Sequence, residues 1–284
     1  MAETSHLDIA LPESSAVAIG SEAHRQLFCH MLLDSFDPYR PAVIAWPSLA
    51  PDALERLTSL PFWDIAVATE ERAARRMEAL AAASSDPLIR EAVALNAWEE
   101  RRHKDVLGHM IRHYGITLKE EAPYVAIPDA EWGFLRTGYG ECFDSFFAFG
   151  LFALARESGF FPLPLVEVFE PIIQEEARHN LFFVNWVAYM RVNRGVLARV
   201  KLDVQRLAAL AVQAWGRLSL ARGVDDKNFT RTGAEAVGLT LKPREFFALC
   251  AAEQDRRMAR YDSRLLRPRI MPRVARMLSH VLPA

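Results

Sequence analysis

The chain has 284 residues, 51% of them apolar and 25% charged, with a formal net charge of -2. These values fit a globular protein with a sizeable buried core and exclude bulk electrostatic attraction as a reason for binding nucleic acid. The three cysteines, Cys29, Cys142 and Cys250, are odd in number and far apart, which excludes a disulfide framework and fits a reducing compartment.

The N-terminal stretch MAETSHLDIALPESS lacks a basic start followed by an apolar run, so no signal peptide is expected. Residues 1–60 are punctuated by Pro12, Pro38, Pro41, Pro47 and Pro51, leaving one expected helix from Ser21 to Leu33. From Pro61 the period becomes helical, with Trp63, Ala66, Glu70, Ala73, Met77 and Leu80 on one face. Ser84-Ser85-Asp86-Pro87 reads as a turn that supplies an N-cap and a first-turn proline. The next helix places Ile89, Val93, Asn96, Glu100, His103, Leu107 and Met110 inward and ends near Gly115. After a connection containing Pro123, Pro128 and Gly133, a third helix is expected from Gly140 to Ser158. A fourth carries Phe169, Ile172, Glu176, His179, Phe183 and Trp186 on one face and ends near Gly195. Further helices are expected around Leu202 to Leu220, Pro243 to Tyr261 and Pro272 to Leu282.

No alternating apolar pattern persists, so the expected class is all-α. The expected organisation is one domain over 1–284. Residues 61–195 form a four-helix metal-binding bundle and 196–284 a helical extension packed on it. The most apolar stretch, Phe143 to Ala155, contains Asp144 and stops at Arg156, too short to span a bilayer; a cytoplasmic protein without a membrane partner is expected.

Chemistry is concentrated in a repeat. Glu99-Glu100-Arg101-Arg102-His103 and Glu175-Glu176-Ala177-Arg178-His179 both read E-E-x-R-H, 76 positions apart. Within each, a glutamate and a histidine three residues apart project from one helical face. Both pairs share that face with apolar residues, where an ionised side chain needs a partner. Glu100, His103, Glu176 and His179 are therefore candidate metal ligands. Two such helices, with one carboxylate from each of two others, make the di-iron or di-manganese site of a four-helix bundle.

On the first helix Glu70 has the apolar company, whereas Glu71 lies with Asp64, Arg75 and Glu78, so Glu70 is the expected ligand. On the third helix Asp144, Glu141 and Glu157 compete. Antiparallel neighbours bring ligands to equal depth from their connecting turn, at ~1.5 Å per residue. Glu70 lies 16 residues before Asp86 and Glu100 lies 14 after it. With the second turn centred on Pro162, the counterpart of Glu176 is position 146. Asp144 is nearest, Glu141 is one turn away on the same face, and Glu157 becomes the choice only if the fourth helix begins at Pro171.

The two E-x-x-H motifs, each preceded by a carboxylate helix, resemble the ferritin-like di-iron carboxylate superfamily, which includes the ribonucleotide reductase small subunit, bacterial multicomponent monooxygenases, arylamine N-oxygenases and aldehyde deformylating oxygenases. The resemblance covers roughly residues 61–195. It implies that Glu99 supports His179, that Glu175 supports His103, and that Arg102 and Arg178 neutralise those outer acids, with exposed helix charges as the alternative for the arginines. A radical-generating role is disfavoured, because the ribonucleotide reductase small subunit has a tyrosine one turn beyond the first histidine, where this chain has Leu107. Iron storage is disfavoured by the helices outside the bundle.

The resulting expectation is an O2-activating oxidoreductase, a hydroxylase or N-oxygenase, holding two iron ions or a manganese–iron pair. A small organic molecule would be its substrate. With no G-x-G-x-x-G and no clustered cysteines, electrons would come from an external reductase, and pairing of two copies is compatible with this reading. The alternatives are a non-catalytic metal-binding or assembly protein and a tRNA-modifying di-iron hydroxylase. The last draws on eight arginines between Arg256 and Arg276, which packing and salt bridges explain more cheaply. His109 and His113 are expected at the surface or in a capping role. Phe143, Phe146, Phe147, Phe149, Phe182, Phe183 and Trp186 are expected in the core, some of them lining an apolar pocket beside the metals.

Overall fold

The structure, a computed structural model, describes residues 17–119, 124–221 and 242–281. The expectations for the N-terminal stretch through Pro12, for Pro123 and for Leu282 lie outside them. Local chemistry sets most helix ends. Helix α1 (Glu22–Asp34) starts where the Ser21 hydroxyl accepts from the His24 backbone N–H at 3.1 Å. A 3-10 turn follows at Pro41–Val43, then α2 (Pro51–Ser59) and α3 (Trp63–Ala83). Helix α4 (Pro87–Tyr114) combines three signals. Asp86 accepts from the N–H groups of Leu88 and Ile89, Pro87 opens the first turn, and Gly115 closes the helix at φ 66°.

Helix α5 (Ala130–Ser158) is capped by Asp129 and stopped by Gly159 at φ 65°; then come α6 (Leu163–Glu167), α7 (Glu170–Asn193), α8 (Val196–Ala221), α9 (Pro243–Met258) and α10 (Ile270–Val281). The described residues contain no strand, and the protein is all-α. None of their helices is long and apolar enough to cross a membrane.

Three elements differ from expectation. Pro51 starts α2 instead of breaking the chain, because its missing N–H and fixed φ suit a first helical position. Helix α5 begins at Ala130 rather than near Gly140, running through Gly133, Gly138 and Gly140. Of these, Gly138 serves close packing. A Cβ on Gly138 would sit 2.2 Å from the Phe183 ring, so α5 and α7 meet there with no room for a side chain. Finally, the separate helix α6 occupies what reads from the sequence as a simple break.

Helices α3 and α4, joined by 84–86, pack along their lengths, α3 also packs on α5, and α5 packs on α7. Helix α1 lies against both α4 and α7. Phe28, Met77, Val93, Phe134, Phe182 and Trp186 fill the core between these helices. Helices α8 and α9 cover α5 and α7, and α10 packs on α9 and α5. In α8, Leu202 and Ala209 face inward, while Leu197 (87% exposed), Val200, Val204, Leu207 (69%) and Trp215 face out.

Candidate metal centre

The two copies of E-E-x-R-H lie in mid-helix, on α4 and α7, and face each other across the interior. The His103 and His179 rings stack at a centroid distance of 5.7 Å, and both side chains are buried. The acids that precede the inner glutamates cross between the helices. His103 Nε2 bonds to Glu175 Oε2 at 2.8 Å, and His179 Nε2 bonds to Glu99 Oε2 at 2.8 Å. Arg102 pairs with Glu175 and Arg178 with Glu99, and each lies 3.7 Å from the other outer acid. This is the crossed arrangement that the resemblance implies.

Because a carboxylate accepts, each Nε2 carries the hydrogen, and each imidazole turns its Nδ1 to the inner site. There it meets more acceptors. His179 Nδ1 lies 2.8 Å from Glu100 Oε1; His103 Nδ1 lies 3.4 Å from Glu176 Oε1, 3.6 Å from Glu70 Oε2 and 4.0 Å from Glu100 Oε2. Neither Nδ1 makes a hydrogen bond, despite full burial, nor does Glu100 Oε1. Glu70, Glu100, His103 and Glu176 each present a ligand atom within 4.8 Å of the others, a grouping that could hold a metal ion. Glu100 directs its two oxygens at different imidazoles.

The third helix corrects the sequence expectation. Asp144 is exposed, and so is Glu157 near the end of α5; the structure brings neither to the cluster. Glu141 is the acid that α5 turns inward. Its Oε1 is buried without a hydrogen bond, and its carboxyl feels the charges of Glu100, Glu176 and His179. Counting depth from Pro162 misplaces the residue because α5 stops at Gly159 and α6 intervenes, so the two helices are not joined by a symmetric turn. The inner face of α5 runs Gly138, Glu141, Ser145 and Phe149, spaced three and four apart, and Asp144 falls outside it.

Burial and the neighbouring Glu176 and Glu70 push the Glu100 carboxyl well up, and burial with Glu100 and Glu176 does the same to Glu141. Burial opposes a charge on His103, but the Glu175, Glu176 and Glu70 carboxylates outweigh it and raise the imidazole well above its ordinary value. Burial also opposes ionisation of Glu176, and here His103, His179 and Ser145 prevail and hold it low. The cluster thus takes up protons where it lacks other cations.

Sequence reasoning misses two supporting groups. Ser145 Oγ donates to Glu176 Oε2 at 3.2 Å, and the Tyr39 hydroxyl donates to Glu175 Oε2 at 3.2 Å. Tyr39 also lies 3.7 Å from the Arg102 guanidinium, which Phe36 and Trp98 enclose further. Nothing in the proline-punctuated stretch around Tyr39 signals that role. Glu71 points to the outer side of α3, where it pairs with Arg75 and Lys104 and borders an open depression of about 450 Å³.

Comparison with protein families, curated proteins and solved structures finds no match. The geometry stands on its own: an all-helical protein with a buried glutamate–histidine cluster able to hold metal, which is compatible with a ferritin-like fold.

Proposed function

We propose that this protein is a ferritin-like dinuclear-iron oxidoreductase that uses O2 and external electrons to oxidise a small organic substrate. One observation carries the reading: two buried imidazole Nδ1 atoms turn into a cluster of inner carboxylates, and neither they nor Glu100 Oε1 and Glu141 Oε1 have a hydrogen-bond partner. A buried hollow lined only by acceptors is stable when cations or protons fill it.

Charge balance favours two divalent ions. Glu99 and Glu175 are offset by Arg178 and Arg102, so with the inner acids Glu70, Glu100, Glu141 and Glu176 in the ionised form that metal ligation requires, and the histidines neutral, four negative charges would be left to balance. Oxygen and imidazole donors suit iron or manganese, and thiolate, the usual ligand of closed zinc sites, is absent from the set. Glu70, Glu100, His103 and Glu176, with Glu141 and His179 beside them, would hold the ions. When bound, a reduced iron pair supplies O2 activation.

The chain's own residues supply position and dryness. Glu99 and Glu175 hold the imidazoles in one tautomer and orientation, Arg102 and Arg178 fix those acids, and Tyr39 and Ser145 tie down Glu175 and Glu176. The core around Phe134, Phe182, Phe183 and Trp186 keeps water out. Metal analysis combined with oxygen uptake tests the proposal. Two equivalents of iron per chain and O2 consumption on reduction are expected; metal without O2 uptake under any reductant would leave a metal-binding or assembly protein.

We also propose that the chain pairs with a second copy through α8. Leu197, Val200, Val204, Leu207, Ala211 and Ala214 repeat at three and four residues, the heptad spacing by which one helix seats on another, and the largest of them are exposed. A self-complementary seam on a surface helix, roughly 39 Å long from its 26 residues, fits an isologous contact.

A further inference from the structure

Between α5, α7 and the segment that leads into α10 lies a cavity of about 130 Å³, close to the roughly 150 Å³ of apolar protein cavities that take up a benzene ring. Cys142, Phe143, Phe183, Val187, Ile270 and Met271 give it apolar walls. Two of its walls come from residues that neighbour the glutamate–histidine cluster along their helices. Cys142 follows Glu141 in α5, and Phe183 lies one turn beyond His179 on the same face of α7.

Its solvent end is different in kind. Arg206 is committed to Tyr139 at 3.0 Å and Asp203 at 2.8 Å. Arg267, half-buried, and Arg269, exposed, also line the cavity, and among the described residues no carboxylate pairs with either guanidinium. Within the same arginine-rich stretch, Arg256 pairs with Glu253, Arg257 with Glu170 and Arg264 with Asp262. A narrow apolar slot ending in two unpaired guanidiniums is complementary to an apolar molecule with an anionic head.

We propose that this cavity binds a small apolar carboxylic acid of about one ring, its carboxylate held by Arg267 and Arg269 and its apolar end directed along α7 toward the cluster. The inference rests on the proposed oxidoreductase function for its meaning, but the binding itself requires no metal. It restricts the substrate to an organic acid that is reached at the end remote from its carboxylate.

Titration calorimetry of the full chain with benzoate, benzyl alcohol and phenyl phosphate tests it, with iron content measured in parallel. Benzoate is expected to bind at least about tenfold more tightly than benzyl alcohol, because only the acid makes charge-assisted bonds. The pair Arg267→Gln and Arg269→Gln is expected to remove that preference while leaving iron content unchanged. Val187→Trp, which fills the slot, is expected to abolish benzoate binding. Equal affinity for acid and alcohol, or a preference that survives loss of both arginines, overturns the proposal. Tighter binding of phenyl phosphate than of benzoate overturns the carboxylate assignment in favour of a phosphate ester. Benzoate binding to a chain that holds no iron would retain the cavity and reject the oxidoreductase reading.

Discussion

His103 and His179, on helices that meet across the interior, each give the Nε2 hydrogen to the acid that precedes the inner glutamate of the other motif. The two halves of the repeat therefore hold each other. Neither imidazole is oriented by its own helix alone, and loss of one outer acid disturbs a ligand on the opposite side.

Replacing Glu175 tests this cross-support. Glu175→Gln preserves volume and a hydrogen-bond acceptor but removes the charge that pairs with Arg102. Metal affinity, measured by chelator competition, is expected to fall about 10–100-fold. Unchanged affinity would mean that the outer acids only balance charge.

The two α5 acids separate cleanly. Glu141→Gln is expected to reduce iron stoichiometry from two toward one per chain, whereas Asp144→Asn, at an exposed position, leaves it at two. The reverse result in elemental analysis would restore the choice made by counting residues from the turn.

Glycines in α5 are expected to respond with opposite signs. A methyl at Gly138 meets the Phe183 ring at 2.2 Å and is expected to cost about 1–3 kcal/mol in urea unfolding. At Gly133 the nearest atom is 3.5 Å away, ordinary contact, so Gly133→Ala is expected to stabilise by about 0.5–1 kcal/mol through helix propensity. Two alanines with the same effect would refute the close approach of α5 and α7.

Asp86 caps α4 and also pairs with Arg25. Burial works against its charge, but Arg25 and the Ile89 and Leu88 N–H groups outweigh it and hold the carboxyl below its ordinary value. Its contribution is present above the unfolded carboxyl range, near pH ~4, and is lost as pH falls through the lower folded value. Asp86→Ala is expected to cost about 1 kcal/mol at pH ~7 and to converge with the parent protein once the pH has fallen through the lowered folded value. A difference that does not change with pH would exclude the ionised cap.

Paired substitutions in α8 address assembly. Val204→Glu with Leu207→Glu places charges on an exposed seam and leaves the buried Leu202 and Ala209 in place. Sedimentation is expected to show a dimer for the parent and a monomer for the variant, with helix content unchanged.

How much of this was readable in advance follows physical range. Helix α4 was legible in full, because cap, first-turn proline, inner face and closing glycine are local features. The same holds for the direction of Glu70, Glu100, His103, Glu176 and His179, since periodicity states which residues share a face. Glu141 was not distinguished from Asp144, because that choice depends on how far α5 slides along α7, and the packing at Gly138 and the insertion of α6 set the register.

Sequence by itself determined the helical class and the set of acids and imidazoles turned inward, since 3.6-residue periodicity and capping act over a few residues. Tertiary structure alone decided which groups meet. Tyr39 reaches Glu175 across 136 residues, and the apolar slot takes its walls from α5 and α7 and its arginines from the approach to α10. Such meetings depend on the relative placement of packed helices, which no local pattern encodes.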